Sequence, residues 1–149
     1  MIVEDRSDWW REIADHPEVK PHICLGSELD VMAVVTHPSV LPLRSEHGGF
    51  LFAGLDGLGR VYELHTLFTP EGWGREVLSS SKLAFNEIFG RGAQLVTTFE
   101  VEGWWRSRPP RSFGFRPLGG FAPSRLGSLQ TWILTRDAWE ASPARLRMG

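Results

Sequence analysis

The apolar positions of this chain fall into short runs cut by Gly, Pro and polar clusters, and the spacing inside each run names its element. Trp9, Trp10, Ile13 and Ala14 recur at helical steps after Ser7, so a short helix capped by Ser7 is expected, broken at His16-Pro17. Residues 29–36 form a brief apolar run read as helical and ended by His37-Pro38. Residues 49–55 and 60–68 flank Asp56-Gly57-Leu58-Gly59, the pattern of a hairpin around a glycine turn. Residues 74–89 put Val77, Leu78, Ser81, Ala84, Phe85 and Ile88 on one helical face, which stops at Gly90, where a C-cap is expected. Residues 93–101 and 128–134 are rich in β-branched and aromatic side chains and read as strands.

Strand 60–68, a glycine-rich turn, helix 74–89 and strand 93–101 make a β-α-β unit. Its strands run parallel, and its helix begins at the carboxyl end of the first strand, where backbone N–H groups face an anion. The pattern predicts an α/β or α+β fold with a mixed sheet. No repeat or long linker interrupts it, so residues 1–149 are read as one domain. At 42% hydrophobic and 23% charged residues the chain has a globular composition, which excludes a disordered one. No apolar run nears the ~18 residues of a membrane span, and the opening Met-Ile-Val-Glu-Asp-Arg lacks a signal-peptide pattern. A cytoplasmic protein with no membrane partner is expected, and a single cysteine, Cys24, fits a reducing compartment as a buried structural thiol.

Charge is distributed unevenly. Residues 1–102 carry 16 acids against 8 bases and residues 103–149 carry 2 acids against 8, with six arginines and no acid between Gly103 and Arg136. An anionic ligand is therefore sought near that segment. Its interleaved rings and cations, Trp104 to Arg125, also suit nucleic acid, but no RNA-recognition, helix-turn-helix or zinc-finger pattern accompanies them, so nucleic acid is an unlikely partner. The Trp9-Trp10 and Trp104-Trp105 pairs need a core, a partner or a ligand to cover them. His22 and Cys24 alone are too few for a zinc site, so no metal is expected.

The turn Thr69-Pro70-Glu71-Gly72-Trp73-Gly74, placed between a strand and a helix, is either a plain turn or a cradle for a pyrophosphate. This arrangement resembles the GCN5-related N-acetyltransferase (GNAT) superfamily, in which such a loop holds the pyrophosphate of acetyl-coenzyme A. A second stretch, Trp104 to Arg116, resembles the segment where a short helix leads into a Gly-Phe pair, here Gly114-Phe115, opening the next strand. Phage- and prophage-encoded GNAT-like proteins are similar through His16-Pro17-Glu18-Val19, Tyr62-Glu63-Leu64-His65 and the turn 70–74.

The resemblance implies a central, mostly antiparallel sheet with helices on both faces and acetyl-CoA as donor. Leu67, Phe68 and Thr69 would line the pantetheine, and Gly72, Trp73, Gly74 and Arg75 would meet the pyrophosphate. Glu63 and His65, alternate residues on one strand face, are the candidate bases for an amine. The acceptor is an amine-bearing small molecule or protein. The sequence departs from the family in Glu71 and Glu76, carboxylates beside an expected anion, and in Pro110, which stands where a general-acid tyrosine is usual. These departures support a second expectation, a non-catalytic GNAT-like protein that binds phage structural proteins through its Trp pairs.

Overall fold

The computed structural model describes residues 1–23, 30–124 and 127–148, which leaves Cys24, Leu29 and Arg125 outside the described residues. Seven strands form one sheet in the order β1-β2-β3-β4-β5-β7-β6: β1 (Val3–Glu4), β2 (Val40–Arg44), β3 (Gly48–Gly54), β4 (Val61–Phe68), β5 (Leu95–Val101), β6 (Arg116–Ser124) and β7 (Gly127–Thr135). Every neighbouring pair is antiparallel except β4 with β5. The helices are α1 (Trp9–Asp15), α2 (Lys20–Ile23), α3 (Val31–Val35), α4 (Arg75–Gly90), α5 (Arg136–Glu140) and α6 (Pro143–Leu146). Among the described residues, no helix is long and apolar enough to cross a membrane.

Alternation along the strands sorts side chains onto two faces. On one face Leu64 and Phe68 of β4 join Phe50, Phe52, Val96, Trp132 and Leu134 beneath the apolar stripe Ala84, Phe85, Ile88 and Phe89 of α4, with Trp139 of α5 and Ala144 of α6 in the same cluster. On the other face Leu67 and Leu51 pack with Trp10, Ile13, Val31 and Val35 from α1 and α3. Helices therefore cover both faces, as expected. Of the covers open to the tryptophan pairs, Trp10 takes a core, fully buried with its indole N–H on Asp5 O at 2.7 Å, and of the four rings only Trp105 is largely exposed, at 70%.

Most boundaries shift by a residue or two, and three of the shifts have a visible cause. The first helix starts after Asp8; Ser7 still accepts Trp9 N–H at 3.3 Å but is not the N-cap. Helix α4 runs through Gly90 to a C-cap at Arg91, and Gly92 is the residue with left-handed φ (+108°), so the helix overshoots its expected cap. The expected strand 93–101 begins at Leu95, because Gln94 N and Leu95 N both turn to Arg60 O before the ladder starts.

The parallel pairing is short. β4 and β5 match only at Val61–Leu95, Tyr62–Val96 and Glu63–Thr97, although β4 stays paired with β3 through Phe68 and β5 with β7 through Val101. Beyond Glu63 the two half-sheets part.

The far wall of that opening is tied down by Glu100, 3% exposed in β5. Its carboxylate accepts Trp132 Nε1 at 2.9 Å, Gln130 Nε2 at 3.2 Å and Arg108 Nε at 3.1 Å. Burial pushes its pKa up, but these donors together hold it below the usual carboxylate range. A depressed carboxyl contributes stability above its ordinary pKa and loses it as pH falls through the depressed value. Glu100→Ala strands a buried indole N–H and should cost about 2–3 kcal/mol in denaturant unfolding at neutral pH. The difference from wild type should shrink in acid.

Candidate active site

Within β4 the backbone groups point alternately to either side. Val61 O and Thr69 N meet Leu55 N (2.9 Å) and His47 O (3.0 Å) on the β3 side, whereas Arg60 O accepts Gln94 N and Leu95 N from the β5 side. By this alternation Leu64, Thr66 and Phe68 turn their backbone groups into the gap. The Thr98 hydroxyl reaches Leu64 O at 3.1 Å and the Trp73 indole N–H reaches Phe68 O at 3.0 Å. No ladder partner from β5 reaches Thr66, so its N–H and C=O offer an extended ligand a strand edge.

The base of the gap is the N-terminus of α4. Gly74 is its N-cap, with φ +94° and nothing within 4 Å of where a Cβ would stand, and no side chain caps the helix. The first N–H groups, of Arg75, Glu76 and Val77, have no intrahelical acceptor and carry the positive end of the macrodipole. Gly72 has a different task. A Cβ there would stand 2.6 Å from Phe68 Cδ1 and 3.2 Å from His47 Cβ, so this buried glycine closes the packing beneath the loop.

The two carboxylates expected to oppose an anion face away from the gap. Glu76 accepts His47 N (2.8 Å) and Ser45 Oγ (2.8 Å) from the turn between β2 and β3, and its Oε1 lies 2.6 Å from His47 Nδ1. Burial pushes the Glu76 carboxyl up, but the bonds from His47 and Ser45 outweigh it and hold it low, while Glu76 holds the His47 imidazole above its usual range. Glu71 and Glu76 line, with Arg44, Glu46, Trp73 and Arg75, a cavity of about 730 Å³ that reaches from the β1–β2 side of α4 to its first turn. One ligand atom each from Glu46, His47 and Glu76 lie within 4.8 Å of one another, but His47 Nδ1 and Glu76 Oε1 already bond each other, and a cation would have to part them.

Glu63 and His65 are brought together on the face of α1 and α3. His65 Nε2 lies 2.8 Å from Glu63 Oε2, and this bond holds the half-buried Glu63 below the usual carboxylate range. Glu63 is the last residue of β4 paired with β5, so the dyad stands where the gap opens. Leu67 and Phe68 bury their side chains in the two opposite cores, and Thr69 is buried with its N–H on His47 O, so of these three only Phe68 turns its backbone groups toward the gap. Arg75 is exposed at the helix start. Tyr62 pairs with Val96 in the closed part of the ladder and packs edge-on against Phe52, away from the gap.

The segment after β5 crosses the gap mouth. Trp104 stacks on His22 of α2 at 3.8 Å, and the Arg106 guanidinium lies 4.0 Å from the Trp73 ring centroid and 4.4 Å from that of Trp105. The described arginines of the run read as a basic face stay exposed while three of them engage other side chains, Arg106 the two indoles, Arg108 Glu100, and Arg111 the Trp132 ring at 5.3 Å. Sequence reasoning missed the Trp73–Arg106 stack and the turn-to-helix bond from His47 to Glu76. The acid-free arginine run was a signal for the first; the second joins residues 29 positions apart with no spacing signature.

No known sequence family and no curated protein matches this chain. Solved structures do. An acetyltransferase of the GNAT family from Bacillus anthracis superposes with a TM-score of 0.69 at 16% identity over 91% of this chain and 94% of that one. Spermidine N-acetyltransferase from Vibrio cholerae, in complex with CoA and spermine, gives 0.67 at 9% identity over 93% and 96%. Aminoglycoside 6'-acetyltransferase type Ii gives 0.63 at 14% identity over 91% and 96%. A further match spans 65% of the other chain's length. The fold is that of the GCN5-related N-acetyltransferases. These likenesses lend no support to a phage or prophage origin.

The bond between His47 and Glu76 pins the first turn of α4, and its contribution depends on pH. Glu76, with its depressed pKa, contributes above the ordinary carboxylate range and loses that contribution as pH falls. His47, with its raised pKa and with Glu46 and Glu71 also facing it, contributes fully below the ordinary imidazole value and loses that part as pH rises through the raised one. Glu76→Gln should therefore lower the melting temperature most in mildly acidic buffer, with a smaller loss above neutrality. Melting curves of both proteins across that range check the sign.

Proposed function

We propose that the protein is an acyl-CoA-dependent N-acyltransferase, with the donor's pyrophosphate at the N-terminus of α4, its pantetheine arm in the gap between β4 and β5, and an amine acceptor on the α1–α3 face. The observation that carries this reading is the parting of β4 and β5 directly after Glu63. It exposes a strand edge at Thr66 that leads to an uncapped helix N-terminus at Gly74. An amide-bearing arm pairs with the first, and an anion suits the second.

The donor would supply an acyl group activated as a thioester. Thr66 and Phe68 contribute backbone to the gap, Gly74 lets the loop approach closely, and Arg75 adds a cation beside the helix start. Glu63 holds one ring nitrogen of His65, leaving the other to take the proton of the acceptor ammonium as its nitrogen attacks. The ionised Glu63 then stabilises the imidazolium. Collapse of the adduct would break the C–S bond and release CoA as a thiolate, and the second proton of the adduct nitrogen passes to that sulfur, directly or through water, because a thiol ionises near pH ~8.5 and Pro110 supplies none. An amine as acceptor class is supported by the dyad and by the spermine in the Vibrio cholerae structure.

Titration with acetyl-CoA should give micromolar binding that Gly74→Val abolishes without changing the far-ultraviolet spectrum. Glu63→Gln and His65→Gln should bind acetyl-CoA normally but lower kcat with an amine acceptor by about 100-fold. No heat from a folded wild-type protein would contradict the reading and favour a non-catalytic interaction protein on the same fold.

A further inference from the structure

Arg106 is held in place without being neutralised. Arg108 of the same segment pairs with Glu100 at 3.1 Å, Arg44 with Asp5 at 2.8 Å and Arg91 with Glu87 at 2.9 Å. The Arg106 guanidinium instead lies over two indoles, those of Trp73 and Trp105, and among the described residues no carboxylate or carbonyl accepts from it. The rings engage it as a cation, and its N–H donors, which lie in the guanidinium plane, remain available to an acceptor. One platform, Trp73, is itself fixed by its bond to Phe68 O and immediately precedes Gly74, the N-cap of α4. The cation therefore stands over the residue next to the anion site, fixed before any ligand arrives.

The loop needs such a cation. A pyrophosphate diester carries a charge on each phosphate, whereas a helix N-terminus offers roughly half an elementary charge. Positions 69–74 contain no base, and Glu71 is an acid. Arg75 supplies one cation from the helix side. The gap's other wall, the segment after β5, carries no acid from Gly103 to Arg136 and delivers Arg106 across the mouth.

We propose that Arg106 is a donor-phosphate ligand, supplying from the β5 side the charge that the loop between β4 and α4 lacks, with Trp73 and Trp105 holding its plane. The inference rests on the acyl-CoA reading above. It also explains why Trp105 stays 70% exposed: the ring serves as the outer platform for the cation.

The test compares CoA with pantetheine, which lacks the phosphates, in calorimetric titrations at low and high salt. Arg106→Gln should weaken CoA binding by about tenfold and flatten its salt dependence, with pantetheine binding unchanged. Arg106→Lys should recover part of the loss, and Trp105→Ala, which removes one platform, should cost about threefold. Unfolding midpoints near wild type establish that the variants are folded. CoA affinity within twofold of wild type in Arg106→Gln would overturn the proposal. Tighter binding would also overturn it, by showing that the stack obstructs the gap. A folded wild-type protein that binds no CoA would remove the acyl-CoA reading itself, and this inference with it.

Discussion

The parallel contact between β4 and β5 is the constraint on which the rest of the structure depends. The α4 crossover returns the chain in the direction of β4, so the two strands meet parallel inside an otherwise antiparallel sheet. Each is also bound along its length to an antiparallel partner, β4 to β3 and β5 to β7. Three residue pairs join the halves, and beyond Glu63 each half follows its own partner. The gap is what remains when two antiparallel half-sheets share a short parallel seam. Its position fixes the helix start, the strand edge and the dyad relative to one another.

Charge is arranged around this gap by side. The carboxylates of the first turn and the loop, Glu76 and Glu71, lie toward the β1–β2 cavity, where His47 and Ser45 hold Glu76. Arg75 and Trp73 border the same cavity at the helix start, and Arg106 lies over the Trp73 ring from the segment after β5. Glu100 performs the same sorting on the far wall by engaging Arg108, which leaves Arg106 as the base of that segment held across the mouth without an acid. Glu76, which appears hostile to an anion in the sequence, is thus turned by hydrogen bonds toward the β2–β3 turn.

Much of the fold was legible because it is written in local periodicity. The helical stripe from Val77 to Ile88, the hairpin around residues 56–59 and the order strand, turn, helix, strand each leave a pattern of a few residues. Strand β2 was not read, since Val40-Leu41-Pro42-Leu43-Arg44 contains a proline and is too short to alternate visibly. The β1 edge and the short helices α5 and α6 gave no signal either. In the site, Glu63 and His65 were legible as alternate residues on one strand. The direction of Glu76 was not, because the groups that turn it come from residues 45–47. Nor was the burial of Trp10, which a pair of adjacent tryptophans cannot reveal. Composition placed cations near the site; only the fold selects Arg106 among them.

The central claim is that the strand edge at Thr66 and the start of α4 together receive one extended anionic donor. Amide hydrogen exchange with and without acetyl-CoA tests it most directly. The account predicts new protection concentrated at Thr66, Phe68 and Arg75 to Val77, with the amides of β2 and β3 unchanged. Protection confined to the Arg44–Glu46 and Ser79–Ser80 walls of the cavity beside β1, or none at the gap at saturating acetyl-CoA, would contradict it.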